Sequence, residues 1–193
     1  TEFFNGEYLD IQNQFLSSTY KSPEHINMFE LFYCGTGKES SAPMSQEEYR
    51  LLLDTYYGGS EPDCACDKLP AADIDAVLLE NIGMVLADTK AISMGSFDYL
   101  AAYDAYYHVH GDTNYRSEVV ISSGEREGDL IRLYYYKTSM DIRWKCVTLM
   151  EHGDGYWFVS NLPCDAPEGG SPVQVILPPG EAERTIKLNN ITE

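Results

Sequence analysis

The sequence predicts an α+β fold, with N-terminal helices packed on one face of a C-terminal antiparallel sheet. Three observations carry this. Up to about residue 90, apolar residues recur at helical spacing between capping residues and glycines. From residue 117 the period changes to two, and polar, glycine-bounded turns cut the second half into short runs suited to a meander.

Residues 6–20 are expected to form the first helix. A second starts at Ser22-Pro23-Glu24, which offers a capping hydroxyl, a proline at the first helical position and an acid facing the positive end of the dipole. Ile26, Phe29 and Phe32/Tyr33 then mark its apolar face until Gly35. Ser45-Gln46-Glu47-Glu48 reads as a capping box, followed by Tyr49, Leu52, Leu53 and Tyr56 on one face and a Gly58-Gly59 stop. Residues 58–69, with glycines, Pro62 and Cys64-Ala65-Cys66, read as a loop. The third capped helix is predicted over Ala71–Ile82, with Ile74, Val77, Leu78 and Ile82 inward and Gly83 as its stop.

Residues 97–110 fit two patterns. Tyr99, Tyr103, Tyr106, Tyr107 and His110 suit a helix, whereas Tyr103, Ala105, Tyr107 and Val109 alternating with Asp104, Tyr106, His108 and His110 suit a strand. The turn chemistry of Gly111-Asp112-Thr113-Asn114 favours the strand. Then come a hairpin from 117–123 and 130–137, a strand over 142–151, and a tight Gly153-Asp154-Gly155 turn into 156–162. One domain over residues 1–193 is expected, with a helical part at about 6–90, a sheet part at about 103–162, a Pro/Gly-rich link at 163–172 and a terminal hairpin at 173–188. A cone of helices on a curved sheet, the NTF2-like arrangement, is compatible with this order, which does not single it out.

Charge narrows the partners. The chain has 31 acidic and 13 basic residues, a formal net charge of −18. Between Asp54 and Asp112 eleven carboxylates meet only two bases, Lys68 and Lys90. Such a surface repels phosphate backbones, so nucleic acid and anionic membrane are poor partners; it suits cations, basic protein partners or simple solubility. The purely apolar runs fall far short of the ~20 residues of a membrane-spanning helix.

Chemistry-bearing residues concentrate in residues 103–115, YDAYYHVHGDTNY, with four tyrosines, two histidines and two aspartates. Tyrosine combines a flat apolar face with a hydroxyl handle, so Tyr103, Tyr106, Tyr107, Asp112, Asn114 and Tyr115 are the candidate ligand-binding residues. On a strand, His108, His110 and Asp112 share one face, the arrangement a zinc or manganese ion needs, with His152 as a further candidate ligand. For calcium, Asp112-x-Asn114 starts an oxygen-ligand loop, but Arg116 stands where a third ligand belongs.

Signatures of catalysis are sparse. Ser93-Met94-Gly95-Ser96 is not a nucleophile elbow, and Gly35-Thr36-Gly37-Lys38 lacks the leading glycine of a phosphate loop. Asp104 and Asp112 are the carboxylates nearest the tyrosines, but glycoside cleavage requires a separation in space that sequence does not give. Of the five cysteines, Cys64 and Cys66 are too close for a comfortable mutual disulfide and lack zinc-knuckle spacing, and Cys146 lies in a strand-like run as a small hydrophobe.

Ser22–Gly35 (SPEHINMFELFYCG), the LPAADIDAVLLENIGMVLAD run over 69–88, YDAYYHVHGDTNY and GYWFVSNLP over 155–163 resemble an uncharacterised family of secreted and lipid-anchored envelope proteins of Gram-positive gut bacteria. The resemblance covers roughly residues 3–163 and carries no functional residues to transfer. It implies a location outside the membrane, extracellular or anchored at its outer face, with a signal or lipid tether upstream of Thr1. The expected function is therefore a non-enzymatic extracytoplasmic binding module that uses a tyrosine-rich surface against an envelope protein, peptide or glycan, without a cofactor. The alternative is a divalent-metal protein, or a metal-dependent hydrolase, built on His108, His110 and Asp112.

Overall fold

Tyr20 and Asn161, far apart in sequence, exchange backbone hydrogen bonds of 2.9 and 2.8 Å and tie the first helical segments to the last strand. The computed structural model describes residues 2–6, 11–37, 42–111, 117–138 and 143–167. Within them lie four α-helices and two antiparallel sheets, one of three strands and one of four, an α+β fold.

The two best-signalled helices form where expected. In α3 (Gln46–Tyr56) Ser45 Oγ accepts from Glu48 N at 3.1 Å, and the Glu48 carboxylate accepts from Ser45 N at 3.3 Å, the reciprocal capping box. Helix α4 (Ala71–Ile82) ends at Gly83, whose φ of 68° is left-handed. A Cβ there would lie 2.8 Å from the Trp157 ring, so this position needs glycine both for its conformation and for the approach of the indole.

The earlier helices are shorter than predicted. Helix α1 is one turn, Ile11–Gln14; of the 6–20 segment, residues 7–10 lie outside the described residues. Ser22 opens only a 3-10 turn, Pro23–His25, and its hydroxyl meets His25 Nδ1 at 2.9 Å instead of capping. Ile26 is extended, and the chain restarts as α2 (Met28–Phe32) under Asn27, whose side chain accepts from Phe29 N and Glu30 N at 3.1 and 3.2 Å. Asn27 makes two cap bonds where Ser22 makes none, and this sets the boundary.

The four-stranded sheet is a plain meander of β4 (Val119–Glu127), β5 (Leu130–Lys137), β6 (Lys145–His152) and β7 (Gly155–Pro163). Left-handed Gly128 and Gly153, at φ of 62° and 57°, serve two of its turns. The main core gathers on it: Phe15 stacks on Phe158 at 4.5 Å, with Leu78, Phe32, Tyr135 and Val147 buried alongside.

Two expectations about the middle of the chain are corrected. The loop assigned to residues 58–69 ends in a strand, β1 (Cys66–Pro70), whose Asp, Lys and Pro hid its period. Moreover, the tyrosine-rich segment does not join the meander. Residues 97–110 form β2 (Asp98–Leu100) and β3 (Ala105–Val109), and β3 lies between β1 and β2 in a separate sheet. The partners of β3 both precede it in the chain, with α4 and two 3-10 turns lying between them in sequence. The predicted hairpin at 173–188 lies outside the described residues.

Candidate functional site

Register decides which face each residue of the 103–115 segment takes. Tyr107 stands opposite Lys68 of β1 and Asp98 of β2, so these three share a face, and this face packs on α3 with Leu52, Leu100 and Ala105. Tyr106 stands opposite Leu69 and Tyr99 and takes the other face, together with His108.

On the α3 side the polar groups are committed. Tyr107 is 0% exposed, and its hydroxyl donates to Glu48 Oε1 at 2.5 Å. Lys68 Nζ reaches the same oxygen at 2.7 Å, with Glu48 only 3% exposed. Burial opposes the Glu48 charge, but the bonds from Lys68, Tyr107 and Ser45 outweigh it and hold the carboxyl below its ordinary range. Tyr107 is pushed far up by burial and by the Glu48 bond, so it stays a neutral donor. Of the predicted ligand-binding residues, Tyr107 is thus a core member with no exposed surface to offer. Tyr103 is half-buried, with its ring centroid 5.9 Å from Lys68 Nζ.

Tyrosines instead cover the outer edge of β2. Tyr56, in the last turn of α3, accepts from Tyr99 N at 3.2 Å and donates to Tyr99 O at 2.7 Å. One phenol thereby satisfies both outward backbone groups of the edge residue, closing that position to strand addition. Tyr57 donates to Asp98 Oδ2 at 2.7 Å, and Tyr99 donates to Asp104 Oδ1 at 2.7 Å. The Tyr99 ring lies 4.6 Å from that of Tyr106, tilted by 38°. Burial, and then the charges of Asp104 and Asp75, raise the Tyr106 hydroxyl above its ordinary value. Held in this way, Tyr56 and Tyr99 remain 43% and 39% exposed.

The histidines sit on the opposite face from Tyr107, in an aromatic setting. The His108 ring lies 5.2 Å from Phe29, 4.7 Å from Tyr33 and 5.7 Å from Phe97, and His110 lies 4.9 Å from Tyr33. The two imidazoles are 5.9 Å apart, and Nε2 of each is buried without a hydrogen-bond partner. Burial, followed by His110, lowers the His108 pKa, which keeps the ring neutral at pH 7.

Asp112, Asn114 and Tyr115 lie outside the described residues, so the third predicted metal ligand and half of the predicted ligand site are not placed. Among the described residues no three His, Cys, Asp or Glu side chains gather to hold an ion. His152, the further candidate ligand, stacks on Trp157 at 3.7 Å in the β6–β7 turn region. Tyr56, Tyr57 and Tyr99 were not among the predicted site residues. Their signal was the Tyr56-Tyr57 pair at a helix end, which reads as ordinary amphipathic patterning until β2 is seen beside it. No helix among the described residues is long and apolar enough to cross a membrane. No family model, curated protein or solved structure matches the chain.

Proposed function

We propose that the protein is a non-enzymatic binding module that engages a basic peptide segment of a partner protein along the tyrosine-covered edge of β2. The observation that carries this reading is that Tyr56 and Tyr99 are large, exposed and yet fixed by their own hydrogen bonds. Rings already held in place lose little conformational entropy when a ligand covers them. Asp98 and Asp104 anchor the hydroxyls of Tyr57 and Tyr99, so the surface joins aromatic faces to negative charge. Lysine and arginine side chains complement both.

Fluorescence-polarisation titrations with labelled Lys/Arg-rich, neutral and acidic peptides, and with soluble glycan oligomers, test it. Saturable binding of the basic peptide, weakened about tenfold by Tyr99→Ala, is expected for a central aromatic contact. Equal binding by wild type and variant, or preference for a glycan at the same residues, would overturn the reading.

The paired, unpartnered Nε2 atoms of His108 and His110 favour a second reading, a divalent ion held by both imidazoles. Elemental mass spectrometry on protein purified without chelator decides it: about one equivalent of metal, lost in His108→Ala, supports this reading, and a blank result removes it. The resemblance to envelope proteins supports an extracytoplasmic location for either activity. Fractionation of cells carrying the full-length protein, read with an antibody, tests that; recovery in the cytosolic fraction would contradict it.

A further inference from the structure

A cleft of about 650 Å³ opens between α4 and the β6–β7 turn, on different elements from the tyrosine edge of β2. Leu79 and Glu80 of α4 form one wall, and His152, Asp154, Tyr156 and Trp157 form the other. A volume of this order is that of a small-molecule site.

Both walls are held. The Gly83 amide donates to Leu79 O at 3.1 Å, and the Trp157 ring comes so close to Gly83 that a Cβ there would lie 2.8 Å from it. That contact joins the end of α4 to β7. Gly153, at φ of 57°, and Asp154 make a two-residue turn between His152 and Gly155, which are partners in the sheet. The His152 imidazole stacks on Trp157, with centroids 3.7 Å and planes 18° apart, while His152 as a whole is exposed. Tyr156, also exposed, is braced edge-on by Phe3 at 5.7 Å.

Rings fixed in this way offer flat apolar surface at little entropic cost. Beside them stand the carboxylates of Glu80 and Asp154, both exposed and, among the described residues, in no ion pair. A carboxylate accepts several hydroxyl protons. A sugar ring matches this pairing, with C–H groups on its face and hydroxyls around its rim. An organic cation fits less well, because the indole, the strongest cation-attracting ring, has a face covered by His152.

We infer that this cleft binds a saccharide unit of a glycan. Its C–H face lies on the outer face of His152, with Leu79 and Tyr156 at the edge, and its hydroxyls donate to Glu80 and Asp154. The site adds a second ligand class to the chain without depending on the tyrosine edge.

A ¹H–¹⁵N NMR titration of the full chain with chitotriose, cellotriose and maltotriose, and with choline as a cationic control, tests this. At least one trisaccharide is expected to give saturable shifts at the amides of His152, Gly153 and Gly155, and choline none. Affinity is expected to fall about tenfold in His152→Ala and in Glu80→Gln, which alter exposed side chains, while Tyr99→Ala binds as wild type. No saturable response to any trisaccharide, or saturation of the same amides by choline, would overturn the inference. Wild-type affinity in His152→Ala or Glu80→Gln, or an equal loss in Tyr99→Ala, would overturn it as well.

Discussion

Replacing Lys68 by methionine removes the ammonium from a carboxylate that has almost no access to water. The side chains of Lys68 and Glu48 are 15% and 4% exposed, with nitrogen and oxygen 2.7 Å apart. At an effective dielectric constant of about 20, that separation corresponds to a gross attraction of about 6 kcal/mol, most of which desolvation offsets. Breaking one side of such a pair costs about 3–5 kcal/mol because the remaining charge is left buried. Glu48 keeps its bonds from Tyr107 and from Ser45 N, which places Lys68→Met near the lower end, about 3 kcal/mol. For a domain of this size that lowers the melting temperature by roughly 6–12 °C.

The same substitution has a pH signature. Glu48 is held below its ordinary pKa of 4.5 in the folded state, so its contribution to stability is complete above that value. It is lost as pH falls through the lowered folded pKa. Without Lys68 burial dominates, and loss of stability begins at higher pH. Urea denaturation at pH 7 and across the acid range reads both effects. Glu48→Gln/Lys68→Met is expected to recover part of the loss, since it leaves no buried charge. A Lys68→Met protein within about 0.5 kcal/mol of wild type, or a double variant showing the full sum of two losses, would refute the reasoning.

Three further outcomes follow from the packing. Asn161→Ala leaves the Tyr135 hydroxyl and the Ser18 carbonyl without their partners, which lie at 2.8 and 2.7 Å; a loss of about 2–4 kcal/mol in urea unfolding is expected, and less than 1 kcal/mol would contradict it. Gly83→Ala combines a left-handed backbone with a methyl 2.8 Å from the Trp157 ring, so it is expected to cost about 2 kcal/mol or more and to change indole fluorescence. Burial raises the Tyr107 and Tyr57 hydroxyls above the ordinary 10.0, so their stabilising effect is complete below pH 10 and is lost as pH rises towards their folded values. Spectrophotometric titration should show these two ionising only as tertiary circular dichroism is lost; reversible ionisation of every tyrosine in the folded state would contradict this.

Local signals accounted for the elements that local chemistry controls. The Ser45/Glu48 capping box and the Gly83 stop define α3 and α4 because each is completed within a few residues. The meander was visible because period two and turn glycines act over neighbouring strands. Strand β1 was hidden because Asp67, Lys68 and Pro70 are poor strand formers that pair only through contact with β3. The helix expected from Ser22 was cut short because Asn27 offers a better cap five residues later. For the site, segment 103–115 was the right neighbourhood but its roles divide by face. Alternation placed Tyr107 and Tyr106 on opposite sides, and only the register with α3 and β2 shows that the first is core while the second borders an exposed platform. Tyr56 joins from 43 residues away, a contact that no local pattern encodes.

The central claim, that the tyrosine-covered edge of β2 is a binding surface for basic peptide, is tested most directly by aromatic ¹H–¹³C NMR. Tyrosine-labelled protein would be titrated with a Lys/Arg-rich peptide and, in parallel, with an acidic peptide of equal length. The expected result is saturable shifts confined to Tyr56, Tyr99 and Tyr106 with the basic peptide alone, while the buried rings of Tyr107 and Tyr135 stay unmoved. Shifts absent, spread evenly over all tyrosines, or alike with both peptides would contradict it.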